Sequence, residues 1–364
     1  GVRSLSVVTY STSGVAHSGA DNIDSIRVYT TAANRHQIQV YGGGRFQDTG
    51  LFVKATTDID GDLKFDDGEN PVDAKTRGFT PIHLYASWRI GQTGLTLGFG
   101  LNNPFGLGTY WPGDWDGRFI GTETEIQTFF SQPVIAVDLA RLLGFGDRAR
   151  LSLAAGYDFV YGTARLSRKI DLRVGEQLSM GELTDQDAEM RMLGDAVGHG
   201  WNLALYAELP GWVSVGASIR SPVVMPFSGD ARFVLNPDAR ATADLLGMVL
   251  PDKTTGEVEM TLPWNMNFGV AFLAVDNLTI AADLYLALFE SYDELDMEFS
   301  CTEDGSCSES LDPDPVEKNW GSSLQFCLGA EYLLFDALSL RAGWGLVTSP
   351  VPQSTYDPAL PDGT

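Results

Sequence analysis

The chain has 364 residues, 44% of them hydrophobic and 20% charged, with 40 Gly, 8 Trp, 12 Tyr, 19 Phe and a formal net charge of -24. So many aromatics exclude an acidic disordered tail, and so acidic a surface excludes a nucleic-acid binder, which must neutralise phosphates. No uncharged apolar run is long enough for a membrane-spanning helix: the best candidate, 268–289, is interrupted by Asp276, Asn277 and Asp283.

The first residues, GVRSLSVVTYS, lack the basic and apolar regions of a signal peptide and read as cytoplasmic or already processed. From about residue 80 onward the dominant hydrophobic period is two. Ile82, Leu84, Ala86, Trp88 and Ile90 alternate with His83, Tyr85, Ser87 and Arg89; further on, Leu151, Leu153, Ala155, Tyr157, Phe159 and Tyr161 share a face. Leu278, Ile280, Ala282, Leu284, Leu286 and Leu288 repeat the pattern, as do Leu324, Phe326, Leu328, Ala330 and Tyr332, then Leu338, Leu340, Ala342, Trp344 and Leu346. The opposite faces carry small or polar residues. A coarse count finds eleven strands, at 36–55, 80–91, 94–103, 123–140, 149–170, 198–209, 212–234, 255–275, 277–300, 319–334 and 337–348.

An apolar face opposite a small, polar one fits a soluble sandwich or a membrane barrel with a lipid-facing outside and a polar lumen. Strand length, tight turns at 91–93, 275–277 and 335–337 alternating with long acidic loops at 56–79, 170–197 and 301–318, and aromatics at strand ends favour the barrel. The expected fold is therefore all-β, a transmembrane antiparallel barrel of the bacterial outer membrane. Such barrels have even strand numbers, and this chain ends in the polar run SPVPQSTYDPALPDGT, so closing strands are expected to be missing.

Residues 101–139, LNNPFGLGTYWPGDWDGRFIGTETEIQTFFSQPVIAVDL, resemble the FadL family of outer-membrane transporters for long-chain fatty acids and other hydrophobic compounds. Four more stretches, 151–171, 198–210, 262–272 and 319–352, are similar to that family in the same order. The resemblance implies a 14-stranded barrel, of which about eleven strands are present and three are missing, spanning residues 35–364. It also implies an N-terminal hatch at residues 1–34 that plugs the lumen. Where the family carries Asn-Pro-Ala, this chain has Thr31, Ala32 and Ala33, so only the alanine remains. Without the resemblance, residues 1–34 read as a frayed terminus.

Asn103-Pro104-Phe105-Gly106 ends a clean alternating strand, because proline removes a ladder donor and glycine lets the chain bend. It reads either as a plain strand end or, by resemblance, as a lateral opening in the wall formed by Asn103, Pro104 and Gly106. Phe105, Tyr110, Trp111, Trp115 and Phe119 follow, as a docking groove for hydrophobic ligands or as an interfacial aromatic belt. A carboxylate ligand needs a buried cation, for which Arg165 and Arg168 are the candidates, with Arg341 on the lumen face. The fatty-acid members carry Lys after the aromatic matching Trp320; here Gly321 stands there, which puts carboxylate recognition in doubt.

Asp58, Asp60, Asp62, Asp66 and Glu69 have the acidic spacing of a calcium loop, with its turn glycine displaced to Gly61. This reads as a calcium site or as a solvated acidic loop. Cys301 and Cys307 are expected to form a small disulfide loop, leaving Cys327 alone. Enzyme signatures are absent: His17, His36, His83 and His199 form no metal motif, no P-loop occurs, and the glycines of 144–149 lead into a strand. Asp283 and Glu331 are read as lumen lining. Two functions stay open, with no cofactor required by either. One is passive uptake of hydrophobic small molecules through a barrel in outer-membrane lipid. The other is a non-transporting barrel that docks a protein partner through its acidic loops.

Overall fold

The computed structural model describes residues 27–32, 36–40, 52–53, 75, 77–78, 83–144, 148–172, 187–245, 247–248, 250–300, 316–335, 338–352 and 355. They form β1 (Arg27–Ala32), β2 (His36–Val40), β3 (Phe52–Val53), β4 (Arg77–Gly78), β5 (His83–Arg89), β6 (Leu95–Asn102) and β7 (Gly106–Tyr110). There follow β8 (Glu123–Asp138), β9 (Arg150–Asp171), β10 (Asp187–Leu209), β11 (Val213–Arg220), β12 (Val223–Val234), β13 (Thr254–Leu262) and β14 (Trp264–Val275). The last are β15 (Leu278–Leu288), β16 (Glu294–Leu295), β17 (Met297–Phe299), β18 (Val316–Glu317), β19 (Ser322–Phe335) and β20 (Leu338–Val347). Two short helices, α1 (Leu139–Leu142) and α2 (Pro237–Leu245), lie in connections.

One antiparallel sheet runs in the order β2-β1-β5-β6-β8-β9-β10-β11-β14-β15-β19-β20, with β7, β12, β13 and β17 extending it. Ten of the eleven expected segments contribute long strands to it, and the first contributes only β2, while β3 pairs apart with β4. The count differs from expectation at β1, which pairs both β2 and β5. β10 also begins at Asp187, so part of the expected acidic loop 170–197 is strand, paired with β9 through Asp187 and Asp171. Among the described residues, β2 and β20 end the main path of the sheet.

Three long strands are interrupted where proline removes a ladder donor. β6 and β7 form one strand broken at 103–105, β11 and β12 one strand broken at Ser221 and Pro222, and β13 and β14 one strand broken at Pro263. The first two breaks shift the register against the neighbour by one residue: Asn102 pairs with Phe130 but Gly106 with Gln127, and Asn202 pairs with Arg220 but Asp195 with Ser228. An extra residue reverses which parity faces inward. Arg220 and Ser218 thus face the lumen below the break in β11/β12, and Met225 and Phe227 face it above.

The apolar faces predicted from period two point outward and are uncovered: Leu328 is 43% exposed, and Trp344 58%. Inward faces carry Asn102, Gln132, Asp158 and Asn202, all less exposed. A soluble sandwich would show the reverse, so lipid is the solvent of the outer face. On β9 the outward residues are apolar from Leu151 to Tyr161 and polar from Thr163 to Lys169. Residues 151–161 match the roughly 9–11 residues of a tilted membrane strand, and the remainder of β9 rises beyond the lipid. Tyr161 pairs with Phe129, which lies opposite the break in β6/β7, so that break sits at the outer rim of the lipid-facing band.

The short connections lie on the other side. At 90–95 the tight turn needs positive φ at Gly91 (50°) and Gly94 (81°), which glycine adopts without a Cβ clash. From the outer rim of the lipid band upward, β8, β9, β10, β12 and β13 surround an apolar core that includes Ile126, Phe130, Val160, Met190, Met225 and Phe227.

Candidate functional site: a lumenal cavity beside a broken strand

A cavity of about 250 Å³ lies in this upper lumen. Ile126, Leu166, Met190, Phe227, Val258 and Met297 give it an apolar wall. It exceeds the roughly 150 Å³ apolar cavity that admits a benzene ring. Methionine side chains are flexible and polarisable, so such a wall adapts to differently shaped guests.

Two cations reach it. Arg168, on the inward face of β9 beyond the lipid band, lines the cavity, and burial pushes its guanidinium below its usual range. Its Nε has no hydrogen-bond partner among the described residues. Lys318 follows β18 and is only 1% exposed. Its backbone N–H donates to Asp293 O at 2.6 Å, fixing the segment against the Tyr292–Trp320 pair, whose rings meet edge-on at 5.1 Å. Sequence reasoning missed Lys318 because it sought the lysine beyond Trp320, at Gly321. The available signal was that Lys318 is the one basic residue in the acidic run 301–320.

The other predicted cation, Arg165, has the opposite parity. It points outward and pairs with Glu123 at 3.3 Å and Glu125 at 3.9 Å, so it is corrected from a ligand site to a surface ion pair. Arg341 pairs with Glu331 on β19.

The predicted aromatic cluster divides. Phe119 lines the cavity, together with Ile120. Tyr110, Trp111 and Trp115 are buried rather than exposed, which corrects the expectation of an open groove. Trp111 and Trp115 stack at 4.8 Å, Trp115 Nε1 donates to Gly121 O at 3.0 Å, and Trp115 lies over Gly117, where a Cβ would stand 2.2 Å from the ring. Self-packing removes their apolar area from water without a ligand. Phe105 packs on Phe130 with ring centres 6.0 Å apart.

The break at Asn103, Pro104 and Gly106 is bridged rather than open. Asn103 Nδ2 donates to Thr128 O at 2.8 Å, while Phe105 O accepts from Thr128 N at 3.2 Å and from Thr128 Oγ1 at 2.6 Å. Beyond it, β7 pairs with β8, and Lys75 N donates to Tyr110 O at 2.6 Å.

Below the cavity, linked polar side chains line the lumenal wall from strand to neighbouring strand. Asp158, fully buried, accepts from Gln132 Nε2 and from Asn202 Nδ2, both at 2.6 Å, and its Oδ2 lies 3.3 Å from Arg220 Nε. Asn102 Nδ2 continues the lining to Gln132 Oε1 at 2.8 Å and to the Tyr85 hydroxyl at 3.3 Å. On the far side, Asn265 accepts from Tyr285 and donates to Pro263 O at 2.9 Å.

Thr31 and Ala32, expected in the hatch, lie in β1 opposite Gln37 and His36. Ala33, the rest of residues 1–26, the acidic positions Asp58, Asp60, Asp62, Asp66 and Glu69, and Cys301 and Cys307 lie outside the described residues. Among the described residues no group of three or more His, Cys, Asp or Glu is placed to hold a metal ion.

Residues 4–364 match the family described as outer membrane protein transport protein (OMPP1/FadL/TodX). The chain belongs to this family. It is 23% identical over 283 residues to the long-chain fatty acid transport protein of Escherichia coli, covering 73% of this chain and 59% of that protein. It is also 23% identical over 266 residues to outer membrane protein P1 of Haemophilus influenzae, covering 68% and 52%. The chain thus spans little more than half the length of these relatives. Among solved structures, a Pseudomonas aeruginosa FadL homologue superposes with a TM-score of 0.67 at 17% identity, covering 93% of this chain and 73% of that one. The Ralstonia pickettii toluene transporter TbuX superposes with 0.57 at 16% identity, covering 90% and 77%. The family, its barrel fold and its outer-membrane location agree with the uncovered apolar face.

Proposed function

We propose that this FadL-family protein passively takes up hydrophobic small molecules, anionic amphiphiles such as fatty acids among them, across the outer membrane. The observation that carries this reading is an apolar cavity with the buried Lys318 and the half-buried Arg168 at its edge. Apolar area leaving water drives entry, and a carboxylate out of water is stabilised by the charge-assisted donors of Lys318 and Arg168. Exit would run sideways through the break at 103–106, because the polar lining below the cavity opposes axial passage of an apolar solute. An apolar solute gains no hydrogen bond from those side chains. The reading includes residues 1–34 as a lumenal hatch, of which 27–32 are described as β1, and two features outside the described residues: calcium on the 58–69 loop and a Cys301–Cys307 bridge.

The family relationship and the apolar cavity among the described residues support transport over a purely structural barrel docking a partner protein. The test is uptake of radiolabelled oleate and of toluene by cells making the full-length protein in place of their own FadL-type transporter. Lys318→Met and Arg168→Met are each expected to weaken oleate uptake at limiting concentration about tenfold or more, the range for a hydrogen bond to a charged group, and to leave toluene uptake unchanged. Equal loss for both probes, or for neither, contradicts the reading.

A further inference from the structure

The break in the wall is tied to one buried ion pair by two separate routes. The first runs from Asp158 through Gln132 to Asn102, the residue immediately before Asn103. The second runs from Arg220, whose guanidinium carbon lies 5.0 Å from the centre of the Phe130 ring, through Phe130 to Phe105, the last residue of the break before β7. Both routes pass through β8, and the same strand supplies Thr128, which bonds to Asn103 and Phe105 directly. The two ends of an interrupted strand are therefore held by opposite members of a single charge pair.

The surroundings are built to keep that pair in place. Asp158 is fully buried and Arg220 nearly so. Asn202 reaches Asp158 across Gly156, where a Cβ would stand 2.6 Å from Asn202 Oδ1 and 2.8 Å from Val134 Cγ2. A buried charge left without its partner is costly, which makes the pair a poor choice for stability alone and a strong one for holding a defined geometry. Arginine also suits the second route, since its planar guanidinium can face an aromatic ring while pairing with a carboxylate.

We infer that the Asp158–Arg220 pair is a positioning device for the wall interruption, setting how closely β6 and β7 are held to β8 at residues 103–106. Asp158 and Arg220 act on the break through Gln132 and Phe130. The consequence for transport rests on the lateral exit proposed above; the positioning itself does not.

The test is amide hydrogen exchange followed by mass spectrometry on the full-length protein in mild detergent. Three variants are compared: Asp158→Asn, which removes the charge, Gln132→Met, which cuts only the first route, and Phe130→Leu, which cuts only the second. If the pair positions the break, residues 103–110 exchange roughly tenfold faster in Asp158→Asn and by a smaller factor in each single-route variant, with 95–101 and 150–157 unaltered. The two single-route variants keep the ion pair and test the inference even where Asp158→Asn fails to fold. Unchanged exchange at 103–110 in the folded variants, or an increase spread evenly over the sheet, overturns it. Uptake of oleate and toluene is then measured on the same variants. Faster exchange at the break with unaltered uptake of both overturns the lateral exit and leaves the positioning role standing.

Discussion

Replacing Leu328 by arginine separates a lipid-bathed wall from a water-bathed one. Leu328 lies at the middle of β19, flanked on the same outward face by Ala282 of β15 and Trp344 of β20, its direct partners in the ladder. At 43% exposure its side chain has free surroundings on the outer face. An arginine there would overpack nothing, so its cost is set by the solvent it meets. In water an exposed Leu→Arg change alters stability by at most about 0.5 kcal/mol. At the midplane of a bilayer the same change on a barrel costs about 2–4 kcal/mol, roughly a 30- to 700-fold shift in the folding equilibrium. The assay is denaturant unfolding of the full-length protein folded into phospholipid vesicles, read by tryptophan fluorescence. Cys327→Ser, on the adjacent lumen-facing position, is the control and is expected to remain within about 0.5 kcal/mol of the parent. A loss below about 0.5 kcal/mol for Leu328→Arg refutes the placement of this face in lipid.

Gly229→Ala is expected to disrupt the β10–β12 ladder, because a Cβ there would stand 2.1 Å from Leu193 O, a backbone atom that cannot move aside alone. A loss of about 1–3 kcal/mol in the same unfolding assay is the expected result, and a neutral outcome contradicts the close approach. Gly156→Ala should displace Asn202 from Asp158, and vibrational or mass-spectrometric exchange data should show loosening at 200–204 before any at 330–345. Acidification should loosen the outer end of β9 and β10, beyond the lipid band. Burial raises the Glu189 carboxyl, but hydrogen bonds and charge from Arg191, with Lys169 and Ser167, outweigh it and leave the group below the usual carboxylate range. A depressed carboxyl contributes its stability above its unfolded value and loses it as pH falls through the folded one. Protection at 187–193, the exchange rate corrected for its intrinsic dependence on pH, should therefore fall as pH drops through the carboxylate range and below it; a fall in protection on going to alkaline pH instead would contradict it.

The breaks in the long strands show what pattern alone can and cannot carry. Pro104, Pro222 and Pro263 are visible in the sequence, and each marks a lost ladder donor. Whether a strand ends at such a proline or resumes beyond it depends on its neighbour. β8 runs unbroken past the first break, and so picks up β7 again at Gly106. The one-residue shift at that point, and at Ser221 and Pro222, then reverses the inward parity, which is why parity counted from the lower strands could not place Met225 or Phe227. Arg165 and Arg168 illustrate the same limit: three residues apart on one strand, they occupy opposite faces, and only Arg168 reaches the cavity. Lys318 was harder still, because its segment is held by Asp293 and by β16, more than twenty residues away in the chain.

Period-two alternation over strands of ten or more residues, with a continuous apolar face and short turns opposite long loops, was sufficient for an outer-membrane barrel and for which residues share a face. Those properties are local, since each strand carries its own alternation whatever it pairs with. The cavity, its two cations, the self-packed tryptophans and the links from Asp158 and Arg220 to the broken strand depend on register across several strands. A one-residue slip moves a side chain from lumen to lipid, and that register is set by which strands meet in the folded sheet.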